Sequence, residues 1–190
     1  TWKGTQYGVY AKAANKSLVW YNTEAFDAAG IKTAPKTWKD FLQTAQTLSD
    51  AGSPAVSVGG ADGWTLTDWF ENVYLSQAGP EKYDQLAAHK IKWTDPSVKD
   101  ALTTLAQLWG KNDLIAGGTQ GALNTEFPKS VTQTFSGSTP AAMVFEGDFV
   151  AANINGDTKA KLGTDAKVFP FPAVGSQAPV VSGGDVAVAL

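Results

Sequence analysis

Apolar residues along this chain change their spacing repeatedly, and each change marks an element. Alternation over residues 5–10 predicts a strand, and the compact run Leu18-Val19-Trp20-Tyr21 within 16–21 predicts a second, buried one. Ala25, Phe26 and Ala29 then recur at helical spacing, so a helix is expected over 23–29, capped by Asn22 or Thr23 and stopped at Gly30. Pro35 bars its continuation. Thr37 opens a helix over 37–51, with Asp40 as capping-box partner and Phe41, Leu42, Ala45 and Leu48 on its inner face.

A short strand is expected at 55–58. A helix over 64–77 follows, with Leu66, Trp69, Phe70, Val73 and Tyr74 on one side, and then a short helix from Pro80 to Leu86. Asp95-Pro96 is a cap followed by proline in the first turn. Val98, Ala101, Leu102, Leu105, Leu108 and Trp109 give that helix a buried face before Gly110 ends it. Gly117, Gly118 and Gly121 mark a loop, and a helix is expected over 122–134. Residues 141–145 read as a buried strand, 147–154 as a helix and 186–190 as a final apolar strand. Helices separated by short strands predict an α/β lobe with the helices packed around the strands.

Composition narrows the chemistry. The chain is 43% hydrophobic and 17% charged, ordinary for a globular protein, and no apolar run approaches a membrane span, so membrane insertion is not expected. Without cysteine there are no disulfides, thiolate metal sites or cysteine nucleophiles. All fifteen basic residues are lysine. Arginine, the usual bidentate grip on phosphate and carboxylate, is missing. With a net charge of −3 and no basic cluster, nucleic acid is a poor partner and an anionic ligand is disfavoured. Seven tryptophans favour a neutral ligand with apolar faces, although Trp20, Trp38 and Trp109 are assigned to the core.

The order of residues carries more than their spacing. The run from Tyr7-Gly8-Val9-Tyr10 through Leu18-Val19-Trp20-Tyr21-Asn22, Ala29-Gly30-Ile31 and Pro35 with Thr37-Trp38-Lys39-Asp40-Phe41 resembles the extracellular solute-binding proteins of carbohydrate ABC transporters, the group that includes maltose-binding protein. Ala141-Ala142-Met143 with Gly147 and Phe149 resembles a second family segment. Val168-Phe169-Pro170-Phe171-Pro172 with Gly183-Gly184 resembles its crossing between lobes. The resemblance implies a helix-rich lobe of a two-lobed, periplasmic-binding-protein-like fold. Residues 1–170 would form the second lobe, and 171–190 a crossing segment and strand joining the other. It also implies a neutral mono- or oligosaccharide held between lobes, delivery to permease subunits, no catalysis, no cofactor and no metal. The expected setting is outside the bacterial cytoplasmic membrane, periplasmic or lipid-anchored. Beginning at Thr1-Trp2-Lys3-Gly4, the chain reads as a fragment whose missing first lobe supplies the rest of the cleft.

A sugar ring offers axial C–H patches to aromatic faces and a rim of hydroxyls to carboxylates and amides. Three places combine these groups. The first is Gly59-Gly60-Ala61-Asp62-Gly63-Trp64, followed by Trp69; here Asp62, Trp64 and Trp69 are ligand candidates, or the two tryptophans pack on their helix. The second is Glu146-Gly147-Asp148-Phe149 at a strand end. Asp148 is either a ligand acceptor or a helix cap, and Phe149 stands where the family usually has tryptophan. The third is Ser182-Gly183-Gly184-Asp185, with Gly184 and Asp185 as candidates or a plain turn before a strand; Tyr10 is a further candidate.

Enzyme signals are weak. Glu146 and Asp148 have the composition of a glycosidase pair, but residues two apart do not flank a bond from opposite faces. His89, the one histidine, is expected exposed at a helix end. Asn153-x-Asn155-x-Asp157 lacks the sixth-position glycine and closing glutamate of a calcium loop. Asn15-Lys16-Ser17 fits a glycosylation sequon, a frequent chance match. A carbohydrate-active enzyme domain and a non-catalytic interaction domain with an all-core set of tryptophans are the alternative functions.

Overall fold

A computed structural model describes residues 3–137 and 141–189. The chain enters as β1 (Gly8–Asn15), crosses at residues 16–17 and continues as β2 (Leu18–Asn22) and α1 (Thr23–Ala28). Asn22, not Thr23, is the cap: its Oδ1 accepts the N–H groups of Glu24 at 3.0 Å and Ala25 at 3.3 Å. α2 (Trp38–Asp50) begins at Thr37, whose hydroxyl accepts the Asp40 N–H at 3.2 Å and donates to the Asp40 carboxylate at 2.8 Å. β3 (Val56–Ser57) leads through a 3₁₀ turn at Gly60–Asp62 into α3 (Trp64–Ala87). Gly79 breaks α3 with φ of +82° just before Pro80, so two helical stretches follow one another as expected. α4 (Pro96–Trp109) is capped by Asp95.

The helix expected over 122–134 is two helices. α5 (Gly118–Leu123) occupies most of the expected glycine loop, and α6 (Phe127–Phe135) follows after a break. Pro128 explains the division: it has no N–H to donate and is accommodated only in a first turn. Glu126, at the cap position, makes no side-chain cap bond, and the Phe127 N–H is taken instead by the Asp62 carboxylate at 2.5 Å. The chain closes with β4 (Met143–Glu146), α7 (Val150–Asp157), β5 (Ala166–Pro170) and β6 (Ser182–Val188).

The central sheet has the order β3-β4-β2-β5; β3 runs parallel to β4, and β2 is antiparallel to both its neighbours. Alternation along the strands sends side chains to two cores. Val19, Met143, Phe145 and Phe169 pack under α1 to α4, whereas Trp20 and Val144 pack against Val131, Phe135, Val150 and Ile154 of α6 and α7. The larger core centres on Trp69, which is 1% exposed. Its ring lies 4.7 Å from Phe145, 5.6 Å from Phe171, 6.2 Å from Trp109 and 6.5 Å from Trp38. Trp69 is therefore a core residue and not the ligand contact it was a candidate to be.

β1 and β6 form a separate antiparallel ribbon, from Gly8 opposite Val188 to Asn15 opposite Ser182, with an irregularity between Tyr10 and Lys12. The final strand thus begins at Ser182. Gly184 and Asp185 lie inside it, opposite Ala13 and Lys12, and are not a turn. A side chain at Gly184 would meet the Lys12 carbonyl and the Tyr10 ring, which is why glycine is needed there. Tyr7, Val9, Tyr10, Val186 and Val188 of this ribbon are exposed. Leu190, the last residue of the expected strand, is outside the described residues.

Two substitutions check this packing. Trp69→Ala is expected to lower stability by about 3–5 kcal/mol, the range for truncating a fully buried aromatic, measured by urea denaturation. Asp62→Ala, which removes the cap of α6, should cost about 1 kcal/mol in the same assay, while Asp62→Asn retains most of it.

Candidate ligand-binding site

Three aromatic residues from three elements converge. The turn after β3 delivers Trp64 at the start of α3, the end of β4 delivers Phe149, and the first turn of α6 delivers Phe127. Ring centroids lie 5.1 Å apart for Trp64 and Phe127, 5.9 Å for Trp64 and Phe149, and 5.6 Å for Phe127 and Phe149, all inclined. Such inclined contacts suit aromatic quadrupoles. All three rings are half-buried, packed against one another with part of each left to solvent.

Glycines make the convergence possible. A Cβ on Gly59 would stand 2.7 Å from Phe127 Cα, and one on Gly60 2.8 Å from the Ala122 carbonyl oxygen. The glycine turn therefore nests on α5 and α6, bringing Trp64 and Phe127 together. A Cβ on Gly147 would run into the Phe149 ring and stand 2.9 Å from the Asn15 carbonyl, so only glycine lets Phe149 fold back over the strand end.

Cations and carboxylates rim the rings. Lys12 Nζ lies 5.4 Å from the centroid of Phe149, and Lys16 Nζ 5.4 Å from that of Trp64. Lys16 also reaches the buried Asp68 carboxylate, 3.1 Å from Oδ1 and 2.9 Å from Oδ2. Asp148, exposed beside Phe149, accepts the Asn15 N–H at 3.1 Å and donates its own N–H to the Asn15 carbonyl at 2.9 Å. That pair of bonds ties the Phe149 turn to the end of β1. Glu146 is 1% exposed beneath the turn, and burial, with Asp68 beside it, pushes its carboxyl up to about 10. It has no route to a bond in solvent, so Glu146 and Asp148 do not form a glycosidase pair.

Of the sequence candidates, Trp64, Phe149 and Asp148 come together, and Asp62 serves α6. Gly184, Asp185 and the exposed Tyr10 lie on the ribbon. Phe127, Lys12 and Lys16 were not singled out from sequence. Phe127 follows Glu126 at a helix start, much as Phe149 follows Asp148, but it fell inside the single helix expected over 122–134. Among the described residues no cluster of three or more His, Asp or Glu side chains is placed to hold a metal, and no helix is long and apolar enough to cross a membrane. Cavities of about 440 and 660 Å³ open elsewhere, around Gln133 and around Gln107, and none of the three rings lines either.

Known proteins share this arrangement of elements. The chain is 34% identical over 96% of its length to the osmoprotective compounds-binding protein GgtB of Synechocystis sp., and 28% identical over 90% to the alpha-glucosides-binding periplasmic protein AglE of Rhizobium meliloti. It spans 44% and 39% of those relatives, less than half of each. A solved chitin oligosaccharide binding protein superposes on 99% of the chain with a TM-score of 0.84 at 27% identity, the chain covering 46% of it. The family model described as bacterial extracellular solute-binding protein matches residues 2–189, and the chain belongs to that family.

Proposed function

We propose that this chain supplies one side of a carbohydrate-binding cleft in an ABC-transporter receptor. The observation that carries the reading is the half-buried cluster of Trp64, Phe127 and Phe149, rimmed by Asp148, Lys12 and Lys16. Inclined rings of this kind receive the C–H faces of a neutral sugar, while the carboxylate accepts and the ammonium groups donate to hydroxyls. The similarity to proteins named for binding chitin oligosaccharides and alpha-glucosides supports an uncharged, hydroxyl-rich ligand.

The exposed ribbon supports a two-lobed receptor. Its apolar residues and unpaired strand edges suit continuation into the sheet of a second lobe. In this reading residues 15–17 and 181–182 cross between lobes, and closure about those crossings buries the sugar. The closed receptor then presents itself to permease subunits outside the cytoplasmic membrane, in the periplasm or held by a lipid anchor. The protein is a carrier and performs no chemistry on its ligand.

Isothermal titration of the full-length protein against maltose, raffinose, mannobiose and a chitin disaccharide tests this. Binding of at least one sugar is expected, with Trp64→Ala weakening it about tenfold or more. Residues 1–190 alone are expected to bind weakly, since half of the contacts are missing. Absence of heat with every sugar, or an unchanged affinity in Trp64→Ala, would sink the reading.

A further inference from the structure

Glu146 has no evident reason to be where it is. It sits at the end of a central strand, opposite Leu18, with a side chain removed from solvent. Neither of its carboxyl oxygens receives a hydrogen bond, which for a buried carboxylate is a heavy cost. The charged groups facing it are Asp68 from α3 and Lys16 from the crossing between β1 and β2. Asp68 is itself buried, and Lys16 is committed to it at 2.9 Å. Two ionised carboxyls with one lysine would leave a net negative charge in the interior. A single proton on Glu146 removes that charge and turns an orphan acceptor into a donor, and Asp68 is the acid that faces it.

We propose that Glu146 is a positioning residue for the aromatic site: it donates its carboxyl O–H to Asp68, and Asp68 in turn holds the Lys16 ammonium over the face of Trp64. Glu146 touches no ligand. The crossing that carries Lys16 is pinned independently of this chain of contacts. Ser17 Oγ donates to Asn72 Oδ1 at 2.6 Å and accepts the Val181 N–H at 2.8 Å, and Asn72 Nδ2 donates to the Lys16 carbonyl at 2.8 Å. The backbone of Lys16 is therefore fixed, and the carboxyl pair decides where its side chain goes. This inference deepens the carbohydrate-binding reading and rests on it for the value of Lys16 to a ligand; the proton and the placement of Lys16 are tested without any ligand.

The full-length protein and its Glu146→Gln variant are compared by urea denaturation between about pH 5 and 8. Folded Glu146 keeps a proton up to about pH 10, whereas the unfolded side chain releases it above about pH 4.3. Wild-type stability therefore falls as pH rises across that window, and the variant, with an amide that still donates to Asp68, escapes the loss. The unfolding constant of wild type divided by that of Glu146→Gln is expected to rise about tenfold per pH unit. Glu71 and Tyr83, also shifted upward by burial and by neighbouring acids, are present in both proteins and cancel in the ratio. In the infrared, a protonated-carboxyl band at neutral pH that moves on ¹³C-glutamate labelling should be present in wild type and gone in the variant; where the variant does not fold, the labelled wild-type band alone decides. By NMR, the upfield ring-current shift of the Lys16 side chain should survive Glu146→Gln and vanish in Asp68→Asn. A pH-independent ratio, a missing protonated band, or a Lys16 shift indifferent to Asp68→Asn each overturns the proposal. Failure of every sugar to bind, with these three results intact, would instead remove only the carbohydrate reading.

Discussion

Where the chain leaves the exposed ribbon and enters the central sheet, residues 15–17 must pass a helix that carries a buried carboxylate, Asp68. The ion pair between Lys16 and Asp68 makes that passage possible. Without the lysine, Asp68 would be an uncompensated charge in the interior, a loss of several kcal/mol. With it, the crossing acquires a fixed height over α3, and the Ser17 and Asn72 bonds set its direction. The same passage fixes Asn15, whose backbone receives and gives the two bonds to Asp148. The Phe149 turn is thus located by the crossing, and the Lys16 ammonium from the same tripeptide lies over the Trp64 ring that Phe149 meets.

This arrangement explains how one short segment serves two ends. Asn15-Lys16-Ser17 is the join between the ribbon and the central sheet and also part of the frame of the aromatic cluster. Any rotation of the ribbon about residues 15–17 acts directly on Asp148 and on Lys16. The angle between the ribbon and the central sheet is thereby coupled to the geometry of the aromatic cluster, through hydrogen bonds of ordinary length and no long-range relay.

Much of the fold was legible because local signals agreed with one another. Asn22, Thr37 and Asp95 sit where helix starts need acceptors, and the helices of α2 and α4 follow with Phe41, Leu48, Val98 and Leu105 facing inward. The errors share a cause, which is that the deciding partner is distant in sequence. Nothing near Phe127 shows that Asp62, sixty-five residues earlier, caps its helix, so α5 and α6 merged. Ser182-Gly183-Gly184-Asp185 has the composition of a turn. It is a strand because it pairs with Lys12 to Asn15 of β1, where a Cβ on Gly183 would meet the Lys16 side chain and one on Gly184 the Lys12 carbonyl. Trp64 and Trp69 look alike in sequence, five residues apart on one helix. That spacing turns them to different sides of α3, one into the Phe145 and Phe171 core and the other to the cluster at the surface.

The lysine-only composition has a second meaning once Lys12 and Lys16 are placed. An arginine over an aromatic face would stack in plane and present a rigid fork suited to carboxylates and phosphates. A lysine ends in a compact point charge. When that charge is already matched by a buried carboxylate, as at Lys16, it retains N–H donors while offering little net attraction to an anion. In the proposed site, three half-buried rings, a neutralised ammonium and an exposed carboxylate would select by hydroxyl pattern and apolar face rather than by charge, which is the recognition problem that a neutral sugar poses.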